Sequence, residues 1–173
     1  MTDIEIGGSD IFSDGMVRLY RQRTDLPFTH ENAICFKAEI SSPMRIRQTV
    51  TKLLREESKA ADEHPFAWNP RFGYVTASPY MCGTGLEISA MFHLEGLHLI
   101  GDLPMALNAL NGMRMNAYGC DGDGLKDVAH IFRIVNAQAL GLEELELAAR
   151  IRQIFSLSLI HISEPTRQAE NSY

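Results

Sequence analysis

Apolar and polar residues alternate with period two from Ala33 to Ile40, where Ile34, Phe36, Ala38 and Ile40 oppose Cys35, Lys37 and Glu39; this predicts a half-buried strand. Met16 to Arg23 reads as an earlier strand, joined to it through the turn LPFTHEN. Ser42 and Pro43 give a helix-start signal, and Ile46, Val50, Leu53 and Leu54 then recur at i, i+4, i+7 and i+8, the clearest helix in the chain. Pro65 and Pro70 forbid its continuation, and Phe66, Trp68 and Phe72 are expected to pin an irregular loop to the core. Gly73 to Thr76 forms a short expected strand that runs into the small-residue loop ASPYMCGTG. From Leu86 to Glu95 the apolar side chains Leu86, Ile88, Ala90, Phe92 and Leu94 define a core face, leaving Glu87, Ser89, Met91, His93 and Glu95 on a face available for chemistry.

Asp102 caps an expected helix carrying Leu103, Ala106, Leu107 and Leu110 and stopped at Gly112. Met113 to Tyr118 and His130 to Val135 read as two further strands, and Glu143 to Phe155 as a last helix with Leu147, Ala148, Ile151 and Phe155 on one side. Met105, Met113 and Met115 fall at core-like spacings and are expected to fill gaps, and His130, beside Phe132, to pack in the core. This order predicts an α+β fold, a mostly antiparallel sheet with helices packed on one face. No internal repeat or low-complexity linker interrupts it.

Composition narrows the class. At 173 residues, 45% hydrophobic and 22% charged, the chain suits one or at most two globular domains with a substantial core. A net charge of −6 gives no general attraction to nucleic acid or an anionic membrane, so neither is an expected partner. Cys35, Cys82 and Cys120 lack C-x-x-C spacing, which argues against a disulfide framework or structural zinc. The N-terminus MTDIEIGGSD has no signal-peptide pattern, and no apolar run approaches the roughly 20 residues of a membrane helix. A cytoplasmic protein is expected. The tail is a separate matter: Leu157 to Arg167, LSLIHISEPTR, resembles the translation of a transposon-end sequencing adapter, so residues 157–173 read as a non-native tail. Without them the charge is −5.

The segment Phe72 to Leu94, FGYVTASPYMCGTGLEISAMFHL, is where the chain becomes specific. It resembles the ATP:guanido phosphotransferase (phosphagen kinase) family, and within it the bacterial protein-arginine kinases, in which a strand ending G-Y-L-T is followed by S-C-P-T-N-x-G-T-G-L-R-A-S-V. Gly73, Tyr74, Thr76, Pro79, Gly83, Thr84, Gly85, Leu86 and Ser89 stand in register with that pattern. Tyr118-Gly119 and the run IFRIVNAQALG, Ile131 to Gly141, are similar to the family's R-G-x-Y-G-E and I-F-Q-I-S-N-Q-x-T-L-G. The resemblance implies a glutamine-synthetase-like catalytic sheet over residues 33–156, with residues 1–32 as an N-terminal segment and first strand. It also implies ATP and magnesium as cofactors if nucleotide binding is retained.

Phosphoryl transfer to a guanidinium needs cations around the phosphates, a magnesium ion, and groups that hold the nucleophile in line. Against the family pattern, Glu87 replaces the arginine of G-T-G-L-R, and at about 4 Å that reversal of charge is worth a few kcal/mol even when screened. Ser78 stands at the cysteine position, Met81 at the asparagine, Met115 at the second arginine and Cys120 at the glutamate. The resemblance places Ser89, Met91, Met115, Tyr118 and Gly119 at nucleotide-site positions and Pro79, Gly83, Thr84 and Gly85 in the substrate loop. Val17 to Phe28 distantly resembles the family's S-x-R-x-R strand, with Arg21 and Arg23 two apart and so expected on one face, able to clamp phosphate oxygens; an ordinary exposed basic strand is the competing reading. Asp121 and Asp123 offer carboxylates from a slipped loop or a simple DGDG turn.

His93-x-Glu95-x-x-His98 suggests a metal only weakly, since strand and loop positions do not specify common coordination. An EF-hand is excluded because Leu125 and Phe132 occupy ligand positions of a loop starting at Asp121. No metal site is expected. The resulting expectation is a degenerate guanido-kinase-like domain, a pseudoenzyme acting by binding an arginine or phosphoarginine side chain or a partner kinase. The alternatives are an active phosphotransferase with a rearranged site, using Arg21, Arg23 and Asp121 or Asp123, and a structural domain of a homo-oligomer.

Overall fold

The computed structural model describes residues 1–6, 15–40, 42–119 and 130–154. Its centre is a six-stranded sheet of β1 (Thr2–Glu5), β2 (Gly15–Gln22), β3 (Ala33–Ile40), β6 (Leu86–His93), β7 (Met115–Gly119) and β8 (Ile131–Asn136), in the order β1-β3-β2-β6-β8-β7. Only β1, parallel to β3 at one edge, departs from antiparallel pairing, so the sheet is mixed. A small hairpin, β4 (Trp68–Asn69) with β5 (Gly73–Tyr74), stands apart.

Register fixes the two faces. Leu19 pairs with Phe36 and Leu86, Val17 with Ala38 and Ile88, and Ile134 with Ala90 and Ala117, so these side chains share one face. Among the described residues four helices cover it: α1 (Ile46–Ala61), α2 (Glu95–Leu99), α3 (Leu103–Gly112) and α4 over 144–154. They insert Ile46, Val50, Leu53, Leu97, Leu110, Leu147 and Ile151 into the same buried cluster. At roughly 25 cal/mol per Å² of apolar area removed from water, this single interface is the main stabilising contribution. Among the described residues no helix is long and apolar enough to cross a membrane.

Several local expectations differ. The Ser42-Pro43 signal opens a short 3-10 turn, Pro43–Arg45, before α1 begins at Ile46. The β6 strand ends at His93 because Glu95 starts α2. Phe66 packs on the core, but Trp68 and Phe72 are exposed, the hairpin carrying them outward. Met113 and Met115 fill the core as expected, whereas Met105 projects from α3 into solvent. His130 is half-buried rather than core: it stacks on His98 with ring centroids 3.7 Å apart and faces Glu95 at 3.6 Å.

Candidate functional site

Register places on the sheet face opposite the helices Arg18 and Tyr20 of β2, Cys35 and Lys37 of β3, Glu87, Ser89 and Met91 of β6, and Arg133 of β8, of which Cys35 and Ser89 are buried. Here Arg18 Nη1 donates to Glu87 Oε1 at 2.7 Å, in a pair whose side chains are 27% and 20% exposed. Burial pulls the Arg18 guanidinium down, but the hydrogen bond and charge of Glu87 outweigh it and leave its pKa raised. Lys37 pairs with Asp3, and the Arg133 guanidinium lies 5.6 Å from the Tyr118 ring centre. Each of these cations is therefore engaged by a neighbour. Burial, reinforced by the Glu87 charge, pushes Tyr20 above the ordinary phenol range, and burial with the Asp3 charge pushes Cys35 up to about 11, so both are neutral near pH 7.

Beside Glu87 a cavity of about 200 Å³ opens, lined by Tyr20, Gln22, His30, Ser78 and Met81 among others. Ser78 precedes a 3-10 turn, Pro79–Met81, and its carbonyl accepts from Thr76 Oγ1 at 2.7 Å and Met81 N at 3.0 Å. Cys82 lies beneath, its Sγ 3.7 Å from Thr76 O and 3.8 Å from Ser78 O.

The G-T-G loop has a structural task. Gly83 exchanges backbone hydrogen bonds with Tyr74 at 2.8 and 2.9 Å, Thr84 N donates to Ala139 O, and Gly85 O accepts from Tyr20 N. The N–H groups of Gly83 and Thr84 are thus already used within the protein. A side chain at Gly83, whose φ is +110°, would meet Ala139 O at 2.6 Å; one at Gly85, φ +63°, would meet Arg21 Nη1 at 2.7 Å.

Arg21 and Arg23 do not share an exposed face. Arg21 points with Val17 and Leu19 toward the helices and is fully buried. It donates from Nε to Glu57 Oε1 at 2.9 Å and from Nη1 to Thr84 O and Tyr20 O, and it stacks 3.5 Å over the Tyr74 ring. Arg23 lies past the end of β2 and is held by Asp25. Ser89 is buried with its hydroxyl toward Met16 O, Met91 and Tyr118 are exposed, Met115 is buried in the core, and Gly119 ends β7. Cys120, Asp121 and Asp123 lie outside the described residues. His93, Glu95 and His98 are not gathered, and no group of three metal-ligating side chains occurs among the described residues.

Arg18, Tyr20, Gln22 and Glu57 were not singled out from sequence. The period of β2 carried the first three, since positions 18, 20 and 22 oppose the buried 17, 19 and 21. Glu57 continues the α1 stripe of Ile46, Val50 and Leu53, an acid on an otherwise apolar face.

The described residues do not fit a triphosphate: Glu87 is an acid on the face opposite the helices, Met115 is a buried thioether, Arg21 is committed to Glu57, and the N–H groups of Gly83 and Thr84 are occupied.

Comparison with known proteins agrees on the architecture. Residues 37–163 match the model of the ATP:guanido phosphotransferase C-terminal catalytic domain, a match that extends past Ser156 into the adapter-like run. The protein-arginine kinase of Clostridium acetobutylicum is 27% identical over 115 residues, covering 66% of this chain and 34% of that protein. The protein-arginine kinase of Halothermothrix orenii is 34% identical over 106 residues, 61% of this chain and 29% of that protein. The chain thus spans about a third of the length of these curated relatives. The crystal structure of lombricine kinase superposes with a TM-score of 0.57 at 20% identity, over 78% of this chain and 36% of that one, which shows the fold.

Proposed function

This chain belongs to the ATP:guanido phosphotransferase family, and we propose that it is a cytoplasmic binding domain of that family which has lost phosphoryl transfer and takes an arginine side chain in the cavity beside Glu87. The observation that carries this reading is Glu87, an acid beside the cavity where the family pattern has an arginine, with Arg18 as its partner. A carboxylate at that place accepts from a guanidinium, shared with Arg18, and supplies no positive charge to a polyphosphate. The cavity volume of about 200 Å³ supports a single side chain rather than a larger ligand, since sites enclosing drug-sized molecules run to roughly 300–1,000 Å³.

Calorimetric titration of the full chain with L-argininamide and separately with magnesium-ATP tests the reading. Argininamide binds, magnesium-ATP gives no saturable heat, and Glu87→Arg abolishes the argininamide signal. Saturable magnesium-ATP binding, or transfer of labelled phosphate from ATP to an arginine-containing peptide, overturns it. A second reading, an active phosphotransferase, draws its support from the relatives, whose names state protein-arginine kinase. On that reading Asp121 or Asp123 would supply carboxylates, and transfer would be lost in the Asp121→Asn, Asp123→Asn double variant.

A further inference from the structure

At the end of β2, Gln22 is 1% exposed and lines the cavity beside Glu87. Its main chain is anchored, with the carbonyl accepting from Ala67 N at 2.8 Å. Its side chain is not: neither Oε1 nor Nε2 has a hydrogen-bond partner among the described residues. This contrasts with Asn136, equally buried, whose amide oxygen and nitrogen are both matched to backbone groups. A buried carboxamide with both ends unmatched opposes folding, and an apolar side chain of the same length would fill the space without that cost. Such a group is explained when the bond it makes belongs to a ligand.

We propose that Gln22 is the specificity-determining residue of the cavity, its carboxamide oxygen accepting from the guanidinium of a peptide arginine whose charge is matched by Glu87. The inference rests on the reading of the cavity as a guanidinium site and adds to it the residue that discriminates. A guanidinium is planar and presents five N–H donors in a fixed fork, so it can address two acceptors on different strands at once; β2 supplies Gln22 and β6 supplies Glu87. A lysine ammonium is a compact point charge without that fork, and a citrulline ureido group carries no charge for Glu87. The neutral Tyr20 phenol and Ser78 also line the cavity, and the arriving guanidinium shares the Glu87 carboxylate with Arg18, whose Nη1 lies 2.7 Å from Glu87 Oε1. Gln22 Nε2 then donates to a water or carbonyl that enters with the ligand.

Two variants of the full chain, Gln22→Met and Gln22→Glu, test this by thermal unfolding without ligand and by titration with L-argininamide, L-lysinamide and L-citrullinamide. The wild type prefers argininamide. Gln22→Met melts at the same or a higher temperature and binds argininamide about tenfold more weakly or worse, the loss expected for one hydrogen bond to a charged group. Gln22→Glu keeps an acceptor in place and retains argininamide binding with citrullinamide still rejected. Unchanged argininamide affinity in Gln22→Met overturns the inference while leaving the guanidinium site standing. If Gln22→Met loses both stability and affinity, Gln22→Glu decides: retained binding there supports the role, and lost binding makes Gln22 a structural residue. Absence of argininamide binding by the wild type overturns the guanidinium reading itself and this inference with it.

Discussion

Removing the carboxylate of Glu57 should unfold this domain far more readily than loss of any surface charge. Arg21 is vulnerable to this change because it is fully buried: its Nε loses the 2.9 Å bond to Glu57 Oε1, and its Nη2 already has no partner among the described residues. Among the described residues only Nη1 keeps acceptors, Thr84 O at 2.8 Å and Tyr20 O at 3.0 Å, with the Tyr74 ring face below. The Tyr74 hydroxyl loses its own bond to Glu57 Oε1 at 2.9 Å in the same step. Breaking a buried pair from one side costs about 3–5 kcal/mol, because the surviving charge is left desolvated. Against a total of about 5–15 kcal/mol for a domain, that is about a fifth of the stability or more. Urea unfolding of Glu57→Ala, followed by circular dichroism at an unchanged slope, measures it. The Arg21→Met, Glu57→Leu double variant removes both charges and should recover most of the loss. A cost below about 1 kcal/mol for Glu57→Ala, or a double variant no better than the single, would refute the reasoning.

Three further outcomes follow from neighbouring geometry. Gly85→Ala combines a positive φ with a Cβ pressed on Arg21 and Tyr20 O, so a loss of about 2–4 kcal/mol is expected in the same urea assay; a loss under 1 kcal/mol would show that the loop can shift. Asn136 bridges β8 to β6 by accepting from Ile88 N and donating to Leu86 O, and Asn136→Ala should cost about 2–3 kcal/mol, with Asn136→Asp also destabilised because it offers no donor to Leu86 O. Burial raises the Cys35 thiol from 9.0 to about 11, so its contribution is fully present below pH 9 and is lost as pH rises through 11. Wild type should therefore lose stability relative to Cys35→Val between pH 9 and 11, and parallel pH profiles would contradict the assigned burial.

Much of the sheet was legible because alternation in β3 and β6 named both the strands and their buried faces. β1 was not, since the short polar run Thr2–Glu5 is a strand only because the edge of β3 pairs with it. The pairing of Arg21 with Arg23 failed for an instructive reason. Period two puts Arg21 with Arg23, but it equally puts Arg21 with Val17 and Leu19, and those are buried. A buried cation needs an acid, and its acid lies 36 residues away on α1, a separation that no local pattern spans. Gln22 was invisible for the same kind of reason, since an unmatched amide is recognised only once its surroundings are known.

The G-T-G loop separates two questions that the family motif joins. Gly83 and Gly85 are required by positive φ and by close approach to Ala139, Tyr20 and Arg21, and these demands hold whether or not a nucleotide binds. Retention of the motif therefore carries information about how β5, β2 and the loop pack. Information about the ligand resides instead in side chains around the cavity beside Glu87. There, the acid Glu87 coexists with Arg18 as its partner and with a buried amide that has none among the described residues. A domain keeping only its packing motif would be free to replace Gln22 with an apolar residue and gain stability. That the polar residue stands beside an acid in a cavity sized for one side chain is the reason to look for a ligand at this face rather than to regard the domain as scaffold alone.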